Sequence, residues 1–395
     1  MNISIKDELI LRQKKIQSFL KEENVEGALF LQDIDLLYFT NSLQVFAAYI
    51  PVEGELSVFY RKAKEKISKE CPFELIEVQN YNDICNILKE KKLYPKKIGL
   101  EFDVLPVKIF NKLESIFDNI IFFDISEALK KVRMVKSSYE LSLLRKAAEI
   151  TKEVYTKVVN IIKPGISELD LAREIEYLYR RLNHLGPTRM RSFNHELFFG
   201  HVLSGHTSII SSSYDSPLGG DGINSAYSIG ASQKIINKNE TIVLDYVSNF
   251  NGYHIDTTRT FVIGELPENL YKNYENLKKV YNKICSILKP GILCSEIYNQ
   301  IINYVNSLGV EENFMGIGNK KVKFIGHGIG LEIDEYPVIA PKFDIKLEKN
   351  MVVAFEPKMF FPPEGAIGLE DTFLITENGY EVLGDLSIEP FYVKY

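Results

Sequence analysis

The apolar positions change period along the chain. Over residues 7–22, Leu9, Ile10, Ile16, Phe19 and Leu20 recur at helical spacing and predict an amphipathic helix. Short apolar runs follow, GALFLQ and LLYFTN, then a strand-like ELSVFYRK after the turn residues Glu53-Gly54. KKIGLEFD and NIIFFDIS also read as strands, and helical stretches over 82–91 and 107–117 alternate with them. Strands alternating with helices predict an α/β N-terminal domain over residues 1–130. Beyond it, ALKKVRMVKSSYELSLLRKAAEITKEVYTKVVNII reads as one long helix. Ser138 is the expected cap, and the helix should run to Ile162 and stop at Lys163-Pro164-Gly165. The boundary is expected near 128–135, with a second domain over 135–395.

The second domain repeats itself. VYTKVVNIIKPGISELDLAREI begins at Val154 and VYNKICSILKPGILCSEIYNQI at Val280, an offset of 126. Each is a helix, a Pro-Gly stop and another helix. A duplicated half predicts an α+β domain with a pseudo-two-fold, and a site where the halves meet. Between the repeats lies TIVLDYVSNFNGYHIDTTRTF, residues 241–261. Asn251-Gly252 is a two-residue hairpin turn, because both positions tolerate positive φ. That turn sets Asp245 opposite Thr258 and puts Asp256 diagonally from Asp245 on the same face. Two carboxylates so placed repel, and the apolar neighbours Val243, Leu244, Val247, Ile255 and Phe261 keep water away. A positive group between them, or a retained proton, is required.

Composition narrows the partners. The chain has 395 residues, 45% apolar and 25% charged, with a net charge of −6 and no basic block, so nucleic acid is not expected. No 18-residue apolar run offers a membrane span. The opening MNISIKDELILRQKK carries charges where a signal peptide needs an apolar core, which predicts a cytoplasmic protein. Cys71, Cys85, Cys285 and Cys294 lack CxxC spacing and read as reduced and structural.

Three further segments carry ionisable groups among apolar neighbours: His327 in KFIGHGIGLEIDEYP, Glu356 in NMVVAFEPKMFF and Glu370 in GAIGLEDTFLIT. Singly, each reads as an ordinary paired core or edge residue. Together, four carboxylates and one imidazole in buried surroundings need cations. Lys and Arg are sparse in these strands, and Arg259 is the nearest expected. Oxygen ligands plus one imidazole suit manganese, with cobalt, zinc or iron as alternatives. Four carboxylates are enough to hold two divalent ions, so a pair of metals answers the hairpin's charge problem.

The order Asp245, Asp256, His327, Glu356, Glu370 resembles the pita-bread metallopeptidases, the family of methionine aminopeptidase, aminopeptidase P and prolidase. LDYVSNFNGYHIDTTRTF, GHGIGLE, MVVAFEP and GLEDT carry the likeness. The α/β domain ahead of them resembles the aminopeptidase P, prolidase and creatinase branch. The resemblance implies that Asp245 ligates one metal, that Asp256 and Glu370 bridge both, and that His327 and Glu356 complete the other. It implies a metal-bridging hydroxide as nucleophile, Glu356 as the catalytic proton shuttle, Xaa-Pro dipeptidase or aminopeptidase P activity on short peptides, and a homodimer.

The substrate side departs from that pattern. Ser228, Asp334 and Gly368 stand where the resemblance leads one to expect two histidines and an arginine. Arg189, Arg191, His195, His201 and His206 cluster ahead of the hairpin as candidate replacements that bind substrate, since arginine captures carboxylates in a bidentate manner. Their alternative reading is a solvated loop. His254, two before Asp256, is a candidate second support for the metals. The polar loop SYDSPLGGDGINS is either a lid or a long connection. Two other functions compete with peptide cleavage: a same-fold enzyme on a non-peptide substrate, as C–N hydrolase or lyase on a small amide, and a binding protein that kept the ligands by descent.

Overall fold

The structure, a computed structural model, describes residues 4–191 and 193–394. The chain divides into two compact units, Met1–Arg133 and Met134–Tyr395.

In the first unit, six strands lie in the order Leu75–Glu77, Ser57–Tyr60, Ala47–Pro51, Gly27–Phe30, Lys97–Leu100, Ile121–Asp124. Its core gathers Leu29, Phe59, Ile84, Leu88, Ile98 and Leu113. The first helix spans Ile5–Glu22, capped by Ser4 through the Asp7 amide. The run LLYFTN lies in the helix Asp33–Thr40. There the Gln32 side chain accepts from the Ile34 and Asp35 amides, and a left-handed Asn41 ends the helix. The strands Ala47–Pro51 and Leu75–Glu77 are additions to the pattern read from sequence. The former is rich in alanine and ends in proline, which carry little strand signal.

Among the described residues, the second unit holds two larger sheets, each covered by a helix pair, and two two-stranded ones, Lys358–Phe361 with Gly365–Gly368 and Pro187–Thr188 with Leu197–Phe198. Phe391–Val393, Tyr253–Ile263, Thr241–Phe250 and Gly200–Ser204 form the first. Helices Ser138–Val158 and Glu168–Arg181 bury Val154, Tyr155, Leu171, Ile175 and Tyr179 against Ile242, Leu244, Tyr246, Phe261 and Ile263. Burying each such large apolar side chain contributes about 1.5–3 kcal/mol. The cap of the long helix is Ser137, not Ser138. Ser137 and Glu140 form a reciprocal capping box, and the regular helix ends at Val158. The second sheet runs Glu335–Val338, Gly326–Gly328, Val352–Phe355, Asp371–Ile375, Tyr380–Leu383. It is packed by Glu268–Ile287 and Cys294–Ser307.

The two halves match in detail. Gly165 and Gly291, 126 positions apart, have φ of 85° and 91°. Their amides donate to the Ile236 and Leu347 carbonyls at 3.0 and 2.7 Å. Each helix pair is thus tied, by an equivalent glycine, to the segment that leads into its own sheet.

Candidate metal centre

The hairpin has the register that its turn dictates. Asn251 and Gly252 both have positive φ, 48° and 87°, and Phe250 faces Tyr253 while Asp245 faces Thr258. The pleat then sorts the residues. Ile242, Leu244 and Tyr246 point to the helices, whereas Val243 packs on the other side with Leu203, Phe360 and Ala366. Asp245 and Asp256 project on that second side, into a cavity of about 310 Å³. Its lining includes Asp245, Asp256, His327 and Glu356 from both halves of the unit.

Each donor is fixed from behind. Asp256 Oδ1 accepts from the Thr257 amide at 2.9 Å. Glu370 follows the strand Gly365–Gly368; its Oε2 accepts from Thr258 Oγ1 at 2.6 Å. Its amide donates to the Thr258 carbonyl at 3.1 Å. His327 Nδ1 lies 2.9 Å from the Ile333 carbonyl and 3.1 Å from that of Gly328. In the neutral ring Nδ1–H donates there, which leaves the Nε2 lone pair facing the carboxylates. Nε2 is 4.0 Å from Asp256 Oδ2 and 3.8 Å from Glu356 Oε1. Among the described residues, ligand atoms of Asp256, His327 and Glu370 all lie within 4.8 Å of one another.

The carboxylates are not left to each other. The expectation that Arg259 is the nearest cation is corrected. The pleat turns Arg259 away, where it binds Asp371 at 2.8 and 2.9 Å and the Glu370 carbonyl at 2.6 Å. The cation in the cluster is Lys358. Its Nζ lies 2.5 Å from Glu356 Oε2, 3.0 Å from Glu370 Oε2 and 3.3 Å from Asp245 Oδ2, and the side chain is 1% exposed.

Titration follows from this crowding. Burial, then Glu370 and Asp245, hold Asp256 well above the usual carboxylate range. Burial pushes Glu370 up to about 7, against the pull of Lys358. Burial opposes charge on Lys358, yet Asp245, Glu356 and Glu370 outweigh it and keep the ammonium protonated. Burial likewise opposes charge on His327, but Asp334, Glu356 and Glu370 draw it above its ordinary value. The cluster therefore still lacks positive charge. Glu370 Oε1 is buried with no hydrogen-bond partner. A carboxylate oxygen without a partner, an imidazole lone pair and a second carboxylate fit a divalent cation of the oxygen- and nitrogen-binding kind.

The substrate candidates separate. His201 lines the cavity; it is the cross-strand partner of Asp245, and burial lowers its pKa. Arg189, Arg191, His206 and His254 are not among the lining residues. His206 is exposed. His254 is fully buried, its Nδ1 3.1 Å from the Gly330 carbonyl, and its pKa is pushed down to about 4 by burial. Asp334 lines the cavity and sits 3.5 Å from His327 Nδ1, while Ser228 is exposed and does not line it. The loop SYDSPLGGDGINS contributes Tyr214, Asp215 and Ser216 to the lining, with Tyr214 stacked on His195 at 4.6 Å. His195, from the same candidate cluster, lines the cavity as well, whereas Lys358, Tyr214 and Asp215 went unread as site residues in the sequence. Lys358 had one signal, the two-residue pleat from Glu356 across a proline.

A two-part architecture with carboxylates and one histidine converging from both halves defines a metallopeptidase fold. The profile of metallopeptidase family M24 matches residues 142–377, and that of the creatinase/prolidase N-terminal domain matches 12–135. The chain belongs to family M24, with a creatinase-type α/β domain ahead of a pita-bread catalytic domain. It is 25% identical to the Xaa-Pro dipeptidase of Pyrococcus furiosus over 93% of this chain and 96% of that one. An uncharacterized peptidase of Staphylococcus aureus is 27% identical over 93% of this chain and 97% of its own. Among solved structures, the Xaa-Pro dipeptidase from Bacillus anthracis superposes with a TM-score of 0.83 at 24% identity, covering 97% of this chain and 99% of that one. The X-Pro aminopeptidase from Thermotoga maritima gives 0.80 at 24%, covering 96% and 99%. Among the described residues no helix is long and apolar enough to cross a membrane.

Proposed function

We propose that the chain is a divalent-metal-dependent peptidase that cleaves short peptides at Xaa-Pro bonds. The observation that carries this reading is the convergence of Asp256, His327 and Glu356 on one cavity of about 310 Å³, a volume suited to a small peptide. Asp256, His327, Glu356 and Glu370 would hold a metal, with manganese the first choice for so oxygen-rich a set. When bound, a divalent ion lowers the pKa of coordinated water and polarises a carbonyl. The remaining work falls to side chains. Ile333 and Gly328 hold the His327 ring so that Nε2 faces inward. Glu356 Oε1 is turned from Lys358 toward the same space. It is placed to take a proton from the attacking water and deliver it to the leaving amine. Leu197, Val247, Phe324 and Val338 give the cavity apolar walls for a prolyl ring.

The lining also favours one kind of peptide. Asp215 and Asp334 line the cavity, and no Lys or Arg is among the lining residues. Acidic groups suit a protonated amino terminus, whereas a dipeptide's carboxylate finds no guanidinium there. The reading is therefore closer to an aminopeptidase P reaction than to a dipeptidase. The test is to strip metal, restore Mn²⁺, Co²⁺ or Zn²⁺, and compare Xaa-Pro-Yaa tripeptides, Xaa-Pro dipeptides and non-proline controls. Metal-dependent cleavage with tripeptides favoured at least about tenfold, one RT ln 10 step of 1.4 kcal/mol, is the expected result. The exposed position of Ser228 and the acid at Asp334 favour a second reading, hydrolysis or elimination at a non-peptide C–N bond. Metal binding with no cleavage of any peptide would select it.

A further inference from the structure

Lys358 is placed where the fold has no other use for it. It follows Pro357 and opens the short strand Lys358–Phe361. Alternation sends Met359 into the apolar core shared by Val353, Phe355 and Ile367 and sends Lys358 to the cavity side. The lysine stem crosses Gly368, its cross-strand partner. A Cβ at Gly368 would meet Lys358 Cγ at 3.2 Å and Thr258 Cγ2 at 2.8 Å. Gly368 occupies the position where the family resemblance suggests arginine. The missing side chain and the added lysine are thus one change: a small residue on one strand makes room for a long cation from the other.

The ammonium has no way out. The side chain is 1% exposed, and an unpaired buried ammonium would be strongly disfavoured. Its three donors are matched by Asp245 Oδ2, Glu356 Oε2 and Glu370 Oε2, at 3.3, 2.5 and 3.0 Å. Asp245 and Glu370 are oxygen donors that a second divalent ion would require. The opposite side of the cluster keeps Glu370 Oε1, the His327 lone pair, Asp256 Oδ2 and Glu356 Oε1 unclaimed by lysine. The division rests on the donor atoms, since the ammonium occupies Asp245 Oδ2, Glu356 Oε2 and Glu370 Oε2.

We propose that Lys358 is a built-in replacement for the second metal, so that each chain binds one divalent ion, on the Asp256, His327, Glu356 and Glu370 side, and Asp245 is held by the ammonium. The proposal rests on the metal-dependent reading given above, and it corrects the pair of metals expected from the family resemblance.

The test is metal stoichiometry and metal spectroscopy on the full chain. Purified protein is dialysed to equilibrium against Mn²⁺ and its metal content measured by mass spectrometry. Wild type is expected to saturate at one ion per chain, with the resolved six-line electron paramagnetic resonance signal of isolated Mn²⁺. Lys358→Gly, which opens the position and removes the charge, is expected to take two ions and show the broadened spectrum of a coupled pair. Lys358→Met keeps the stem's volume without the charge and is expected to remain at one. Lys358→Ala replaces the glycine variant if circular dichroism shows that the latter does not fold. Two ions in wild type, none in wild type, or a single ion in folded Lys358→Gly or Lys358→Ala would each overturn the proposal. The peptide panel, run on the same preparations, keeps the two readings apart. One ion without cleavage defeats the peptidase reading alone, and two ions with cleavage defeats the lysine replacement alone.

Discussion

At the scale of single residues, each candidate ligand has one atom held by the fold and another turned toward the cluster. Asp256 Oδ1 is engaged by the Thr257 amide, and Oδ2 faces His327. Asp256→Asn removes the anion and keeps the shape, so metal affinity and peptidase activity should fall together, by at least about a hundredfold, the upper range for loss of a metal-site interaction. Unchanged metal content in that variant would remove Asp256 from the site. A second residue makes stability depend on acid. His184 Nδ1 accepts from the Gly186 amide at 3.0 Å, and its Nε2–H donates to the Val247 carbonyl at 2.8 Å. Burial, opposed by the Val247 contact, pushes its pKa down to about 4 from 6.5. Because the unfolded imidazole takes up a proton first, this contribution is complete above pH 6.5 and is lost as pH falls toward 4. The loss is on the order of 3 kcal/mol. His184→Asn, which retains an acceptor for Gly186 but does not titrate, should flatten the acid limb of a denaturation-versus-pH curve. An unaltered limb would assign the acid sensitivity elsewhere.

At the scale of elements, the hairpin Thr241–Ile263 was readable because one turn fixes its register and register fixes its faces. The Pro-Gly repeat was readable for a similar reason, since both glycines take the same left-handed conformation in the connection that follows each helix. Lys358 was not readable in the same way. Its direction depends on a strand break at Pro357 and on the empty position at Gly368, 10 residues away in sequence and opposite in space. Arg259 was misassigned for want of one pleat, being odd where Asp256 and Thr258 are even. The loop residues His195, Tyr214 and Asp215 reach the cavity through tertiary packing that no periodicity encodes. On the reverse of the hairpin, the Arg259–Asp371 pair also accepts the Tyr281 hydroxyl, 2.7 Å from Asp371 Oδ2, and it is buried on every side. Asp371→Ala leaves that buried guanidinium without its counter-charge and should cost about 3–5 kcal/mol, measured by urea denaturation. A loss below about 1 kcal/mol, the value of an exposed ion pair, would show the pair to be dispensable.

At the scale of the whole molecule, the two units have separate cores, one around Leu29, Phe59 and Ile98 and others around the two sheets of the second unit. The candidate metal ligands Asp245, Asp256, His327, Glu356 and Glu370 all lie in the second unit. A ligand that binds only the native state stabilises it by about 2.7 kcal/mol at a concentration a hundred times its Kd. Amide hydrogen exchange should therefore slow on adding Mn²⁺ across Thr241–Ile263 and Asp371–Ile375 and stay unchanged in the strand Gly27–Phe30. Equal slowing in both units would contradict that assignment. The duplication has a different consequence. Asp245 and Asp256 belong to the half with the first Pro-Gly stop; His327, Glu356, Lys358 and Glu370 belong to the half with the second. Neither half owns a centre. A backbone nick in the connection 264–267 would turn metal capture from a property of one chain into a bimolecular event. Its onset would scale with the product of the two fragment concentrations, as in an enzyme assembled from complementing pieces.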